Sequence, residues 1–239
     1  MFPEPFFSTT QYDHSLNEIR KFGFVADPFL SQPTLPRTFG FNFTMAWPLP
    51  ESLRVAHDTL RTSLNRLDKG LYIYPHEDTH VTVATIVDFV NHIEPSEEEI
   101  TRLRDLSEHI AERTRPLFQA YRSQDPLVLE FGPPLLSRNA IFIPAMESTG
   151  RVPMLRAHLA KQLESVKGLE LKIPNIIHTT VARFQTTPTD LEGFMHAFEN
   201  ISKTTQLGFC VADEIVMAIE TKPYLKDASI SHHFPLELR

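Results

Sequence analysis

Cysteine is nearly absent: Cys210 stands alone among 239 residues. A single thiol cannot form an internal disulfide, and its place in the apolar run "LGFCVADEIVMAI" reads as a buried core thiol in a reducing compartment. Uninterrupted apolar runs of the ~20 residues needed to span a membrane as a helix are missing too. The opening "MFPEPFFSTTQYDHSL" also lacks the basic-then-apolar order of a signal peptide. These absences make a cytoplasmic protein without a membrane anchor the expectation. Basic charge is in deficit as well, with 23 Lys and Arg against 30 Asp and Glu and a formal net charge of −7. No global positive field would draw in long duplex nucleic acid, whereas a small anion needs only a local pocket.

What is present is a chain of alternating strand and helix patterns behind a proline- and phenylalanine-rich beginning. Residues 1–37, with "FPEPFF" and "DPFLSQPTLPR", show little periodicity and read as an extended arm. From residue 38 to 239 the pattern predicts a single domain of strands and helices. "TFGFNFTMAW" reads as a strand, and "SLRVAHDTLRTSLNRLDK" as a helix with Ser52 as its cap. "LYIYPHEDTHVTVATIVDF" reads as strand, short turn, strand. "PSEEEITRLRDLSEHIAERTRPL" has a capping serine and an acidic first turn, the marks of a helix.

Strands follow in "PLVLEFGPPLLSRNAIFIPAM", then a helix in "RVPMLRAHLAKQLESVKG" stopped by Gly168. "NIIHTTVARF" is a further strand, "PTDLEGFMHAFENIS" a helix, and "TTQLGFCVADEIVMAIET" and "ISHHFPLEL" supply the last strands. The halves repeat the order strand, helix, histidine-bearing strand, helix, with 98 residues between His80 and His178.

The stretch "HEDTHVTVATI" satisfies two patterns. His76-Glu77-x-x-His80 spells the H-E-x-x-H of a zinc peptidase, and His80-Val81-Thr82 spells H-x-T. A zinc site needs helical i, i+4 spacing, but Pro75 precedes the stretch and Val81, Thr82, Val83, Thr85, Ile86 and Val87 favour a strand. At about 3.3 Å of rise per residue, two histidines four apart on a strand are too distant to share one ion. The H-x-T pattern makes its own prediction: the second half should hold an equivalent, and "IIHTTVARF" supplies His178 and Thr180 at the same spacing.

On a strand His80 and Thr82 project together while Val81 and Val83 face the other way, and His178 and Thr180 do the same. With the two strands side by side, two imidazoles and two hydroxyls would line one cleft. One histidine in a strand is most often incidental, but two matching pairs on matching strands are not.

These residues make the chain resemble the 2H phosphoesterase superfamily, whose signature is two H-x-[ST]-x motifs flanked by apolar residues. The resemblance covers about residue 38 onward. It implies a bilobal α+β fold of two pseudo-symmetric lobes of antiparallel sheet, with helices packed outside and a central cleft. It implies His80, Thr82, His178 and Thr180 as the catalytic quartet, with no metal or other cofactor. It also implies a small nucleotide or oligonucleotide as substrate, bearing a 2′,3′-cyclic phosphate or a 2′,5′ linkage, and a place in RNA processing. The chemistry follows independently: opening such an ester needs a base for water, an acid for the leaving ribose oxygen and donors for the phosphorane, and histidines can fill the first two roles near neutral pH. A monomer is expected. The alternatives are a catalytically silent nucleotide- or RNA-binding module of the same fold and the zinc peptidase.

The ligase branch of the superfamily is similar in carrying an arginine after the second motif, here Arg183. Strict alternation turns Arg183 away from His178 unless the strand bulges, and places Phe184 on the histidine face, where it could stack a base. Tyr74 and Tyr224, with Tyr72, are further candidates to contact substrate. Asp78 and Asp88 share parity with His80 and could orient an imidazole. His232 and His233 resemble a metal tract superficially, and Arg138, Arg151 and Lys172 could add local positive charge.

Overall fold

The computed structural model describes residues 9–167 and 169–237. The "FPEPFF" segment, the expected stop at Gly168 and the end of the last expected strand at Leu238 lie outside these residues.

The expected extended arm contains a helix, α1 (Thr9–Phe22), and is without regular helix or strand between it and residue 37. Its prolines, at 3 and 5 and again from 28 onward, bracket a proline-free stretch. Within that stretch Leu16 and Ile19 lie at helical spacing, and Ile19 is fully buried. Gly23 ends the helix at φ +72°, its N–H returning to the Ile19 carbonyl at 2.7 Å, as left-handed caps do.

After the arm come β1 (Gly40–Met45), α2 (Arg54–Leu67), β2 (Leu71–Ile73), β3 (Val81–Val87) and α3 (Glu97–Ala120). The second half holds β4 (Val128–Phe131), β5 (Leu135–Leu136), β6 (Ala140–Met146), α4 (Arg151–Leu163) and β7 (Ile177–Phe184). The chain closes with α5 (Leu191–Thr204), β8 (Gly208–Val211), β9 (Glu214–Glu220) and β10 (Ser229–Pro235). Ser96 caps α3 as expected, accepting the Glu99 N–H. Ser52 does not cap α2: it sits inside a single 3-10 turn, Glu51–Leu53, that leads into the helix, and no side chain caps the entry.

The strands form one antiparallel, curled sheet in the order β10-β9-β1-β3-β7-β6-β4-β8, with β2 on β7 and β5 on β6. Between β3 and β7 the sheet divides into two lobes, β10-β9-β1-β3 on one side and β7-β6-β4-β8 with β2 and β5 on the other. Helices from the two sequence halves cross over: α4 packs on β3 and against α3, which reaches β10, while α2 packs on β2 and against α5. The β1–β3 and β6–β7 pairs are the repeat, and they match residue for residue. Asn42 faces Thr85 as Ala140 faces Arg183, and Thr44 faces Thr82 as Phe142 faces Thr180, each residue 98 positions from its counterpart.

The match includes a defect in the ladder. Stepping from Phe43 to Thr44 skips Val83 in β3, and stepping from Ile141 to Phe142 skips Val181 in β7, so each histidine strand carries a bulge at the same place. Both bulges sit where two apolar residues adjoin, Val83-Ala84 and Val181-Ala182, all four at 1% exposure or less. Regular pleating would send one of each pair into the cleft, whereas a bulge buries both under the helices. The carbonyls displaced by the bulges are answered by the Tyr74 N–H at Val181 (2.9 Å) and by Arg156 of α4 at Val83 (3.1 Å).

Candidate active site

The side-by-side strands expected of the two motifs are present: Val81 pairs with Thr179 in antiparallel register. That register sets His80 beside Thr180 and Thr82 beside His178, so each imidazole neighbours the hydroxyl of the other motif. Val81 and Thr179 point into the core, both at 0% exposure. Residues 79–86 and 177–184 show one and the same order of buried and half-buried positions, and the half-buried ones face the cleft. They are His80, Thr82 and Thr85 on β3's side, and His178, Thr180 and Arg183 on β7's. A cavity of about 260 Å³ collects all six, together with Asn42, Tyr74, Asp88, Phe89, Pro174, Glu220 and Tyr224.

The two rings are held alike. His80 Nδ1 meets the Asp78 carbonyl at 2.9 Å, and His178 Nδ1 meets the Ile176 carbonyl at 3.5 Å, in each case two residues upstream. A carbonyl only accepts, so in the neutral ring Nδ1 carries the proton and Nε2 is left as the free base. Burial pushes the His80 imidazole down to about 4 against the opposing pull of its carbonyl bond, and His178 and Arg183 add to the fall. Burial likewise holds His178 below the ordinary histidine range, again against its carbonyl bond, with Arg156 and Arg183 adding to the effect. At neutral pH the cleft therefore presents two neutral imidazoles.

Bulge geometry decides the fate of the neighbouring candidates. It rotates Arg183 into the cleft, where strict alternation had turned it away, and it removes Phe184. That ring, expected on the histidine face, is 0% exposed in the core against Phe24 at 4.3 Å and Phe194 at 5.8 Å. Arg183 Nε donates to the Tyr74 hydroxyl at 3.1 Å, and its guanidinium lies 4.3 Å over the Tyr224 ring. Tyr74 and Tyr224 both line the cleft, whereas Tyr72 stands behind Tyr74 at 5.3 Å between rings.

Asp78 orients His80 through its carbonyl, not its carboxylate. Asp88 lines the cleft but is committed to an ion pair with Lys172 and to the N–H of Val90 at 3.1 Å. Arg138 and Arg151 lie elsewhere, bonded to the carbonyls of Gly23 (3.2 Å) and of Tyr121 and Asp125 (2.7 and 2.9 Å).

His76, the first residue of the zinc pattern, sits in a 3-10 turn, His76–Asp78, 3% exposed and 5.5 Å ring to ring from His57, not on a helix with His80. His232 and His233 have separate carboxylate partners, Glu108 at 3.1 Å and Glu214 at 2.9 Å. Among the described residues no group of three or more His, Cys, Asp or Glu is placed to hold a metal ion, and no helix is long and apolar enough to cross a membrane.

Residues that the pattern reading passed over complete the site. Glu220, fully enclosed, accepts the Leu225 N–H at 2.9 Å and bonds Asn42; burial pushes its carboxyl up to about 7 against both. Arg156, 5% exposed, donates to the carbonyls of Thr82 (2.7 Å), Val83 (3.1 Å) and Ile176 (3.0 Å). Thr85 had a signal in the sequence, since it stands 98 residues before Arg183. Arg156 and Glu220 had none: Arg156 meets backbone carbonyls on or beside the two histidine strands, and Glu220 meets the Leu225 N–H of a turn and the Asn42 side chain of β1, pairings that no periodicity marks.

No family model and no curated protein matches the chain. Solved structures do. TT0787 of Thermus thermophilus is 17% identical, with a TM-score of 0.54 over 82% of this chain and 97% of that one. E. coli LigT complexed with 3′-AMP is 10% identical, with a TM-score of 0.52 over 84% and 99%. A structure described as a phosphoesterase is 12% identical, with a TM-score of 0.51 over 85% and 100%. The bilobal α+β fold that the resemblance implied is thus the fold of this chain, shared with TT0787 and LigT.

Proposed function

We propose that the chain is a 2H phosphoesterase, a metal-independent phosphodiesterase acting on a small nucleotide or oligonucleotide with a 2′,3′-cyclic phosphate or a 2′,5′ linkage. One observation carries the reading: two histidines related by the repeat, each with Nδ1 on a backbone carbonyl, aim both Nε2 atoms at a single cleft. A core histidine has no reason to leave a nitrogen pointing into a cavity, and two of them on matched strands suit a two-sided proton transfer. The 3′-AMP in the similarly folded LigT is a nucleotide of the size this cavity suits.

In this mechanism the neutral imidazole on one side of phosphorus takes a proton from water at Nε2 as the new P–O bond forms. The other histidine, protonated once the anionic phosphate is bound, gives its Nε2 proton to the ribose oxygen as the old P–O bond breaks. The Thr82 and Thr180 hydroxyls, one beside each ring, donate to the phosphorane oxygens. Arg183, with Nη2 unpartnered among the described residues, supplies the positive charge that a net acidic chain otherwise lacks at this place. Tyr74 and Tyr224 flank it as surfaces for base or ribose. RNA processing is the setting that such a substrate suggests, in the cytoplasm and by a monomer.

Turnover of a panel of 2′,3′-cyclic nucleotides, 2′,5′-oligoadenylate and short RNAs, with EDTA present, tests the reading. A silent binding module would bind members of the panel and release them unchanged.

A further inference from the structure

The segment before the repeat reaches into the site. Phe24 packs on Phe184 at 4.3 Å, the Asp27 N–H bonds the Phe184 carbonyl at 2.7 Å, and Gln185 Nε2 bonds the Leu30 carbonyl at 3.1 Å, so residues 24–30 are laced to the end of the second histidine strand. On the other side Phe29 meets Phe89, just past the first histidine strand, at 5.4 Å, and Tyr224 at 6.4 Å. The segment thereby joins the ends of both motif-bearing strands.

Asp27 is its only charged residue and is 4% exposed. Its two oxygens divide their work. Oδ1 accepts the N–H groups of Phe29 (3.0 Å) and Leu30 (3.1 Å), which serves the local turn. Oδ2 accepts the Tyr224 hydroxyl and stands 3.6 Å from Arg183 Nη1, which serves nothing in the turn.

Tyr224 is itself held in a costly conformation. It and Leu225 have φ of +66° and +58°, in the left-handed region that side chains with a Cβ avoid. Two anchors fix this turn: Glu220, which accepts the Leu225 N–H at 2.9 Å, and Asp27, which takes the Tyr224 hydroxyl. The result is that the guanidinium carbon lies over the Tyr224 ring, 4.3 Å from its centroid. Arg183, which lines the cleft, is thus clamped on three sides, by Asp27 at Nη1, Tyr74 at Nε and the Tyr224 ring across its face, with no hydrogen bond to Nη2 among the described residues. Strain retained around one side chain is a mark of a site where its orientation matters.

We propose that Asp27, contributed by the segment outside the repeat, is the positioning residue that orients Arg183 and the Tyr224 turn so that one edge of the guanidinium meets the substrate phosphate. This rests on the phosphodiester reading above and deepens it. A free arginine side chain loses rotamer freedom when it grips an anion; a clamped one has lost it already, so the clamp shows as affinity.

Asp27→Asn separates the two oxygens' roles, since the amide oxygen can still accept from Phe29 and Leu30 while the charge facing Arg183 is gone. Tyr224→Phe removes the hydroxyl donor and leaves that turn untouched, so a folded variant is available if the first is unstable. Two readouts are needed: the dissociation constant of inorganic phosphate, with KM and kcat for 2′,3′-cyclic AMP, and the Arg183 Nε–H signal in a 1H–15N spectrum, assigned by its loss in Arg183→Lys.

The expected result is a tenfold or greater rise in the phosphate constant and in KM for Asp27→Asn, with kcat within threefold. The Nε–H signal should broaden toward that of a solvent-exposed arginine, with a smaller change in the same direction for Tyr224→Phe. On an Arg183→Ala background Asp27→Asn should add nothing. An Asp27→Asn protein that binds phosphate within threefold of wild type and keeps a sharp Nε–H signal overturns the proposal. Should wild type bind neither phosphate nor cyclic nucleotide, the phosphodiester reading falls while the Nε–H signal still decides whether Asp27 holds Arg183.

Discussion

Arg156 and His178 share one acceptor: the carbonyl oxygen of Ile176 takes Arg156 Nη1 at 3.0 Å and His178 Nδ1 at 3.5 Å. The same guanidinium also holds the carbonyls of Thr82 and Val83, so one buried side chain touches the backbone of both motifs. Arg156→Met would take the guanidinium from the Thr82 and Val83 carbonyls and leave that of Ile176 to His178 alone, and should destabilise the protein by about 2 kcal/mol, at roughly 1 kcal/mol per orphaned carbonyl, in urea unfolding. Arg156→Lys, which satisfies fewer of them, should lower kcat more than it raises KM, because it shifts a ring and a hydroxyl, not a substrate contact. An Arg156→Met protein as stable as wild type would show that the carbonyls are answered in some other way.

The histidines make stability depend on pH in a definite direction. His80 has a folded value of about 4, below the ~6.5 of an unfolded chain, so between these values the unfolded state binds the proton and the native state does not. Stability should therefore be complete above about pH 6.5 and fall as pH drops toward about 4. His80→Phe should flatten that slope. A His80 ring signal titrating near 6.5 by NMR would contradict this.

Glu220 works with the opposite sign. Its carboxyl is raised to about 7, above the ordinary range, so the native state holds a proton that the unfolded state has released, and stability falls as pH rises from about 4.5 to 7. Glu220→Gln keeps an oxygen for the Leu225 N–H and removes the buried charge. Its melting temperature should exceed wild type at pH 8 and match it at pH 5; equal gains at both values would remove the carboxyl as the cause.

The quartet threonines and Arg183 should separate in kinetics. Thr82→Val or Thr180→Val removes a donor to charge that develops in the transition state, with an expected loss in kcat of about 100-fold and little change in KM. Arg183→Ala should act mainly on KM and on phosphate affinity. Equal effects on both parameters in all three variants would argue against these assignments.

Much of the site could be seen in the letters, and what escaped has a physical reason. The alternation of His80-Val81-Thr82 and His178-Thr179-Thr180 fixed which side chains share a face, and the antiparallel pairing of Val81 with Thr179 puts the two motifs side by side. Beyond the threonines alternation failed because Val83-Ala84 and Val181-Ala182 each bury two neighbours in succession, which forces a bulge. The repeated Val-Ala was the available clue. It corrects both Phe184, which goes to the core, and Arg183, which comes into the cleft. Asp27 and Arg156 were illegible for another reason: Asp27 meets Arg183 and Tyr224, and Arg156 meets Thr82 and Val83, far along the chain, with no periodicity to announce them. Helix α1 was hidden by the prolines on either side of it.

The central claim is that His80 and His178 are the acid and base of a metal-independent phosphodiesterase. Its most direct measurement is turnover of 2′,3′-cyclic nucleotides and 2′,5′-oligoadenylate in excess EDTA by wild type, His80→Ala and His178→Ala, with folding of each checked by its melting curve. The account predicts that wild type retains full activity under chelation, that each folded variant loses at least 1,000-fold in kcat, and that the wild-type pH profile is bell-shaped. Wild-type activity abolished by EDTA, or folded His80→Ala and His178→Ala proteins turning over at the wild-type rate, would contradict it.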